Sequence, residues 1–457
     1  MIARISRGLT WFVSRYLPDP LVFAILLTVI IFIAGMFAMG TPAGLTVLQV
    51  ETAPAWSDRL VKMVNLCGNG FWNLLAFGMQ MALVVVTGHA LASSGPVKSM
   101  MRNVASMAKT PEQGVMLTTF VGSIACVLNW GFGLVVGAMF AREVARRVKG
   151  ADYRLLIACA YIAFLTWHGG LSGSVPLLAA TPGNPMEKTI GLIPATSMLL
   201  SGYNLFITIG LIVTLPFLTR MMVPKAGDVV SVDPALLAEE PDFQKKLPPD
   251  APISEKLEES RVLAWMIGVL GIAYLAYGFA TQGFNITINT VNLLFLTAGI
   301  LLHRTPMAYM RAIAAAARST AGILIQFPFY AGIQLMMDHS GLGGLITQFF
   351  IDISTAETFP ILTFFSSAIV NFAVPSGGGH WAVQGPFVMP AAQALGADLG
   401  KAAMAIAYGE AWMNMAQPFW ALPALAIAGL GVRDIMGYCV TALLFSCVIF
   451  VVGLAVF

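Results

Sequence analysis

The chain has 457 residues, of which 58% are hydrophobic and only 10% are charged, and its formal net charge is +3. Soluble domains carry roughly 25% charged residues, so this composition excludes a soluble globular protein and predicts a polytopic membrane protein. The mean hydropathy of +0.81 agrees with that class.

The first elements of the chain are basic and then apolar. Arg4, Arg7 and Arg15 precede the apolar run 21–39, which is long enough to span a bilayer at about 20 residues per crossing. We expect an amphipathic helix over residues 3–16 at the cytoplasmic surface. A retained first membrane helix should follow it, because the run carries no small-residue cleavage pattern.

The apolar run 113–140 is predicted to be a re-entrant hairpin. Basic residues flank both of its ends, and LNWGFG at 128–133 supplies a turn between two half-helices. Because positive residues favour the cytoplasmic side, both ends should face the cytoplasm. The first inverted repeat is therefore residues 1–222 with its hairpin at 113–148, and TWHGGLSGS at 166–174 interrupts the crossing that follows.

Residues 223–260 are the one long polar stretch, and they predict a loosely ordered cytoplasmic linker. Residues 261–457 then hold an extra helix and the second inverted repeat. Its apolar run 360–395 would measure about 54 Å as one helix, against a hydrocarbon core of roughly 30 Å. We therefore expect a second hairpin at 357–396 that enters from outside.

The sequence VPSGGGHWAVQGP at 374–386 lies inside that second hairpin. Each glycine costs a helix about 1 kcal/mol relative to alanine, so Gly377, Gly378 and Gly379 predict a broken backbone at the tip. A broken backbone at membrane depth is tolerated only where protein buries it or where it lines a cavity. The sequence EAWMNMAQP at 410–418 predicts another broken helix further on.

The distribution of charge sets the predicted topology. With nine crossings and two hairpins, 21 of the 25 Lys and Arg residues lie on the cytoplasmic side. Only Arg59, Lys62, Lys188 and Lys401 then lie outside. This arrangement places the N-terminus in the cytoplasm and the C-terminus outside.

Three residue pairs recur at nearly one spacing and indicate an internal repeat. The pairs, which lie between 242 and 246 residues apart, are Gln80 with Gln326, Asn129 with Asn371, and Trp167 with Trp412. The extra helix at 262–280 would invert the second copy. Inverted repeats with interrupted helices are typical of secondary transporters, whose sites lie near the midplane.

The four breaks are expected to converge on a binding site. Half-helix N-termini at the midplane favour an anion, and free carbonyls at the preceding C-terminal ends could hold Na⁺. The predicted substrate-binding residues are Asn129, Trp130, Gly131, His168, Gly169, Ser172, Ser174, Asn371, Ser376, Gly377, Gly378, Gly379, His380, Asn414 and Gln417.

The charged groups at mid-depth limit the substrate. Tyrosines aside, only His168, His380 and Glu410 are titratable there, and no Lys or Arg is present. A small monocarboxylate therefore fits better than a dicarboxylate. Glu410 is the candidate carrier of the coupling ion, unless it merely faces an external vestibule. The tryptophans that could wall a short apolar tail are Trp130, Trp167, Trp381 and Trp412.

Several functions find no support in the sequence. HExxH and G-x-S-x-G are absent, so we expect no catalytic residue and no enzyme. No GK[ST] follows the glycines, and the five cysteines lack metal-site spacing. We expect no cofactor beyond Na⁺ as one candidate coupling ion, no metal site and no nucleic-acid partner.

The motif VPSGGGHWAVQGP, supported by LNWGFG and TWHGGLSGS, resembles the bacterial short-chain fatty acid transporter family over nearly the whole chain. That family is placed with the ion-transporter superfamily of carboxylate carriers. The resemblance implies paired re-entrant hairpins, an elevator-like transport domain, a scaffold domain and often a homodimer. It also implies a place in the bacterial inner membrane.

The expected function is secondary import of short-chain monocarboxylates such as butyrate or acetoacetate with H⁺ or Na⁺. A carrier of another small organic anion, such as a C4-dicarboxylate, is the nearest alternative. An anion channel is the alternative from another class. The expected partners are the small carboxylate and the lipid bilayer.

Overall fold

The computed structural model describes residues 20–225, 227, 229–230, 232, 237, 243–283, 286–371, 374–417 and 419–457. The amphipathic helix expected at 3–16 lies outside these residues. Within the described ranges every regular element is helical and no strand is present. The chain is thus all-α, as its composition predicts.

From residue 20 to residue 222 the structure shows twelve α-helices and one 3-10 helix, Ala163–Gly169. The α-helices are α1 (Pro20–Ala38), α2 (Pro42–Leu48), α3 (Trp56–Gly70), α4 (Leu75–Ala92), α5 (Gly95–Ala105), α6 (Pro111–Leu128), α7 (Trp130–Arg147), α8 (Tyr153–Ile162), α9 (Ser174–Ala180), α10 (Glu187–Ile190), α11 (Ala195–Leu199) and α12 (Gly202–Met221).

The described residues of the rest of the chain form eleven α-helices and the 3-10 helix Arg318–Thr320. Its α-helices are α13 (Ile253–Glu258), α14 (Arg261–Gln282), α15 (Ile288–His303), α16 (Pro306–Ala317), α17 (Ala321–Ser340), α18 (Leu342–Ile353), α19 (Phe359–Val370), α20 (Gly377–Leu395), α21 (Leu399–Met413), α22 (Ala421–Ala428) and α23 (Val432–Val456).

Local sequence explains many of the helix ends. Asp152 and Asp398 cap α8 and α21 by accepting main-chain N–H bonds of 2.9 and 2.8 Å, which satisfies amides that have no partner inside the helix. Gly341, Gly396 and Gly429 end α17, α20 and α22 with positive φ. Glycine adopts this left-handed conformation without a Cβ penalty.

Six helices among the described residues are long and apolar enough to cross a membrane. The number rises to eight if each of two bent pairs, residues 24–48 and 306–340, forms one span. Helix α14 is the least buried of the six, with 17% of its most apolar window inside the protein. This count rests on length and composition, so the nine-crossing topology stays a prediction.

Helices α6 and α7 lie side by side and antiparallel. A Cβ on Gly133, just after the turn, would overlap the main chain of Cys126, and one on Gly114 would meet Val144 at the far end. Helices α19 and α20 also fold back on each other, since Gln384 Nε2 donates to Ser366 Oγ at 2.9 Å. Both long apolar runs are therefore folded into helical hairpins.

The two halves exchange their packing partners. Helices α1 and α3 of the first half pack on α17 of the second. Helices α15 and α16 of the second half pack in the same way on α4 of the first. Helices α4 and α17 thus each pack against two helices of the other half.

The described part of the polar linker makes specific contacts with helices outside it. It contains the short helix α13, and Val230 N donates to Asp152 Oδ2 at 2.8 Å. Further along, Arg311 Nε donates to the carbonyl of Phe243 at 2.9 Å. Side chains outside the linker supply these partners, which the linker sequence alone could not reveal.

Candidate substrate site

The first hairpin turns at a single residue. Asn129 separates α6 from α7 with extended backbone, and its Oδ1 accepts the N–H of Phe132 at 2.9 Å. The N–H of Trp130 donates to Ser172 Oγ at 2.8 Å. Since these are amides that α7 itself cannot satisfy, the tip is closed by one side chain of its own and one from the neighbouring break.

That neighbouring break separates the 3-10 helix from α9 at residues 170–173. The N–H of Leu171 donates to the carbonyl of Val127 at 2.7 Å. A Cβ on Gly170 would overlap the main chain of Val127, so only glycine allows the close approach. The first hairpin and the first broken helix are thus joined through their main chains.

The glycine triplet of the second hairpin is helical, which corrects the prediction of a broken backbone there. Helix α20 begins at Gly377, and the described residues 374–376 just before it lie outside any helix. Ser376 Oγ caps the helix by accepting the N–H of Gly379 at 3.4 Å. Glycines are tolerated in this first turn because close packing replaces side chains.

The packing around the triplet is tight on three sides. A Cβ on Gly377 would overlap the imidazole of His168, and one on Gly378 would overlap Phe77 of α4. A Cβ on Gly379 would lie 2.7 Å from the Tyr330 ring of α17. The second tip is therefore buried between the first broken helix and the helix pair α4 and α17.

Asn371 connects the second hairpin to the second broken helix. Its Nδ2 donates to the carbonyl of Glu410 at 3.1 Å and to Asn414 Oδ1 at 3.0 Å. Gln417 Nε2 donates to the same Asn414 oxygen at 2.8 Å, and Tyr161 OH donates to the Asn414 carbonyl at 2.8 Å. These bonds satisfy carbonyls freed where α21 ends.

A histidine and a glutamate from the two broken helices meet in the middle. His168 Nε2 lies 3.1 Å from Glu410 Oε2, and both side chains are fully buried. The sequence left open whether Glu410 faces an external vestibule, and its complete burial places it inside the protein instead. Buried ionisable groups in membrane segments are costly and typically functional.

Aromatic rings form one wall beside this pair. The Trp130 ring lies 5.0 Å from that of Trp420 and 5.6 Å from that of Trp167. Phe164 stacks on Trp167 at 5.0 Å, and Trp167 contacts His168 at 3.6 Å between ring centroids. We use the term central cluster for the buried residues around the His168–Glu410 pair, which are Asn129, Trp130, Trp167, His168, Asn371, Gly377, Glu410, Asn414 and Trp420. Phe164 stacks against this cluster.

The central cluster contains more unsatisfied donors than acceptors. Five buried donors have no hydrogen-bond partner, and they are the indole N–H groups of Trp130, Trp167 and Trp420 and the Nδ2 groups of Asn129 and Asn414. Unpaired acceptors are fewer, namely Glu410 Oε1 and Asn371 Oδ1, and His168 Nδ1, which can donate or accept, is unpaired as well. Each buried unsatisfied group costs about 1–3 kcal/mol, so their concentration here indicates a site for a hydrogen-bond acceptor.

The comparison with known proteins agrees with a transport site. The family model described as "Short chain fatty acid transporter" matches residues 1–457. The chain belongs to this family. Its members are transporters, and the apolar helices described above make this chain a multi-pass membrane protein.

Two curated relatives cover essentially the whole chain. A "Putative short-chain fatty acid transporter" of Escherichia coli (strain K12) is 72% identical over 457 residues, with 100% of both chains covered. A protein of the same name from Haemophilus influenzae is 65% identical over 461 residues, with 99% of both covered. The crystal structure of the YdaH transporter from Alcanivorax borkumensis shares the fold, with a TM-score of 0.57, 17% identity, and 95% of this chain and 98% of that chain covered.

The structure places many of the predicted site residues close to one another. Asn129, Trp130, His168, Asn371, Gly377, Glu410 and Asn414 belong to the central cluster, while Ser172, Ser376 and Gln417 support it through the bonds described above. Gly131 packs on the main chain of Val84 and Val85 in α4. Gly378 and Gly379 pack on α4 and α17.

Other predicted residues have different surroundings. Both ring nitrogens of His380 face main-chain carbonyls, with Nδ1 2.8 Å from Val374 O and Nε2 3.0 Å from Ser367 O. Its imidazole thus holds the second hairpin closed. Gly169 faces α12, where its carbonyl accepts Asn204 Nδ2 at 3.1 Å. Ser174 is buried as the first residue of α9.

The aromatic wall also differs from the prediction. Trp412 packs on Phe364 at 5.2 Å and donates its indole N–H to the carbonyl of Leu443 at 2.7 Å. Trp381 is fully buried in α20. Phe164 and Trp420 were missed, although Trp420 follows the Gln417 break by only three residues. Extending the 410–418 motif by one turn would have included it.

Proposed function

We infer that this protein is a secondary active carrier that imports short-chain monocarboxylates, such as butyrate or acetoacetate, with H⁺ or Na⁺. The excess of buried, unpaired donors in the central cluster carries this proposal. A carboxylate offers two oxygens that accept several bonds at once. Family membership independently favours a short-chain fatty acid as the substrate.

The chemistry of the cluster favours a substrate with one carboxylate and a short tail. Its named residues include no lysine or arginine, and a second carboxylate would need a further set of donors. The rings of Trp130, Phe164, Trp167 and Trp420 supply an apolar wall close to the donors. A short hydrocarbon end buried there gains roughly 0.8 kcal/mol per CH₂ group.

We further propose that residues 1–222 and 261–457 are inverted repeats and that transport follows an elevator mechanism. The exchanged packing of α1 and α3 on α17 and of α15 and α16 on α4 supports this. The hairpins and broken helices would move together against those helices. We also propose that the protein lies in the inner membrane, with its N-terminus in the cytoplasm and its C-terminus outside. We propose in addition that it forms a homodimer.

Uptake by the purified protein in proteoliposomes tests the function. Labelled acetate, butyrate and acetoacetate are offered with imposed Na⁺ and pH gradients, each gradient applied separately. We expect saturable, gradient-driven uptake of at least one of these acids. Counterflow of labelled butyrate against internal butyrate and succinate separates the two carrier alternatives.

Three outcomes would overturn the proposal. Exchange driven by succinate but not by butyrate would identify a dicarboxylate carrier. Unitary currents at single-channel rates, with no saturation by substrate, would identify an anion channel. Absence of uptake for every short-chain acid, from protein that is monodisperse and folded, would remove the substrate class.

A further inference from the structure

We propose that His168 and Glu410 together form a proton-binding site, so that each carboxylate is carried with one proton held by this pair. The inference rests on the proposed function and specifies its coupling ion. It depends on the geometry of the pair and on the charges that surround it.

The pair is built to share a proton. His168 Nε2 and Glu410 Oε2 are 3.1 Å apart, within hydrogen-bond distance, and both side chains have no exposed surface. Their outer atoms, His168 Nδ1 and Glu410 Oε1, are buried and make no direct hydrogen bond, although the side chains of Asn414 and Trp420 lie beside the Glu410 carboxyl. A proton can therefore lie on either residue while the hydrogen bond between them is kept.

Few other titratable groups face Glu410. His380, on α20, has both nitrogens directed at the carbonyls of Val374 and Ser367. Tyr161, on α8, uses its hydroxyl to donate to the Asn414 carbonyl at 2.8 Å. Helices α19 and α22 present only uncharged side chains to the cluster, chiefly Asn371 and Trp420. His168 is thus the direct partner of the carboxylate.

A bound substrate carboxylate would add a second negative charge to this site. At 4 Å, two like charges repel by about 4 kcal/mol with an effective dielectric constant of 20. Neighbouring carboxylates in proteins avoid this cost by sharing one proton. The central cluster has no lysine or arginine, and a proton on His380 would be held by its two carbonyl partners, so the relief available on substrate binding is a proton on Glu410 or His168.

The transport step then balances without any bond being made in the substrate. One R–COO⁻ and one H⁺ enter from outside, the anion on the cluster donors and the proton on the pair. Both leave to the cytoplasm when the site opens there. The loaded site gains no net charge, so uptake should follow the pH gradient and respond little to the membrane potential.

Calorimetry on the purified full-length protein tests the proposal without interference from passive diffusion of the free acid. Butyrate binding is measured in phosphate and in Tris, whose ionisation heats differ, at fixed pH and without Na⁺. The difference in binding heat gives the number of protons taken up. We expect about one proton per butyrate, with the apparent Kd falling about tenfold per unit of acidification over the range where the empty pair lacks that proton.

Glu410→Gln removes the negative charge that requires the proton. We expect proton uptake to fall from about one to about zero per butyrate, and counterflow in vesicles to lose its pH dependence. His168→Gln should lower proton uptake as well. Glu357→Gln and His339→Gln change exposed residues of the same types and should retain about one proton per butyrate.

The outcomes separate this inference from the function on which it rests. Butyrate binding that needs Na⁺ and takes up no proton would overturn the proton site but leave a carboxylate carrier. Full proton uptake by Glu410→Gln would also overturn it. Absence of any butyrate heat would remove the proposed substrate instead. A wild-type proton number near zero overturns the proton site even if a variant fails to fold.

Discussion

The two hairpin tips occupy matching places in the chain but use their asparagines differently. Asn129 turns inward on its own hairpin, capping α7 through the N–H of Phe132. Asn371 reaches away from its hairpin, to Glu410 and Asn414 of the second broken helix. In the second hairpin the capping role passes to Ser376.

The two tips therefore differ in which groups they hold and in which groups they leave unpaired. The first tip is closed within itself and presents Asn129 Nδ2 and the Trp130 indole as unpaired donors. The second tip is held by the helix that carries Glu410. A change in the first tip should therefore act mainly through lost donors and helix capping, whereas one in the second should also disturb the buried carboxylate.

The largest effect is expected at the second tip itself. In Gly378→Leu the new side chain must enter the space of Phe77, with Phe327 also in contact range. Since overpacking a filled interior forces backbone shifts, we expect loss of uptake from protein that still folds. Uptake of labelled butyrate and monodispersity in detergent are the measurements.

Gly278→Leu, in α14, is the matched control, because nothing lies within 4 Å of the Cβ position at Gly278. It should keep most of the uptake. Normal uptake by Gly378→Leu would separate the second tip from the transport path.

A smaller effect is expected from the two asparagines, and it should be unequal. Asn371→Ala removes two hydrogen bonds of about 0.5–1.5 kcal/mol each, so the apparent KM should rise about tenfold, which corresponds to about 1.4 kcal/mol. Asn129→Ala removes an unpaired donor worth about 0.5–1.5 kcal/mol together with a helix cap worth about 1 kcal/mol, so it should raise KM about three- to tenfold and also lower thermal stability.

Uptake kinetics and thermal unfolding in detergent, measured on both variants, check this contrast. Equal changes in KM and in stability would show that the tips are equivalent. Unchanged KM in both would remove the asparagines from the site.

A few-fold effect is expected from the aromatic wall. Trp420→Phe keeps an apolar ring but loses the unpaired indole N–H, and a single neutral hydrogen bond is worth about 0.5–1.5 kcal/mol. We expect a KM about three- to tenfold higher.

Trp412→Phe is the matched change outside the central cluster, where the indole donates to Leu443 O. Its KM should stay close to that of the wild type. The reverse order of effects would place Trp412, and not Trp420, at the substrate.

The smallest effect on KM is expected at Ser172, whose hydroxyl accepts the N–H of Trp130 at the first tip. Ser172→Ala leaves the N–H of Trp130 without its acceptor, a loss of about 1–3 kcal/mol for a buried amide. Thermal unfolding should shift downward while KM changes little. Ser197→Ala, at an exposed position, is the control, and an equal shift there would contradict a supporting role.

Much of the local architecture could be predicted from the chain. Asn129 within LNWGFG marks a place where a helix can end and begin again, because its side chain replaces a main-chain partner. The run 360–395 is too long for one span, so a fold-back is required wherever it is embedded. These are properties of neighbouring residues, which a sequence displays directly.

The prediction of a broken backbone at the glycine triplet was wrong because the outcome depended on distant residues. Gly377–Gly379 are helical because Ser376 caps them and because His168, Phe77 and Tyr330 leave no room for side chains. His380 holds main-chain carbonyls. Of the two tryptophans near the second break, Trp420 faces the cluster and Trp412 does not, and the direction in which α21 ends decides between them.

The sequence by itself therefore determined a membrane-embedded helical chain with interruptions at identifiable residues, because length, hydropathy and capping are local physical requirements. Only the tertiary structure decided that His168 meets Glu410, 242 residues further along the chain. Such a pair depends on how helices from different parts of the chain pack. Neither residue carries a local signal that names its partner.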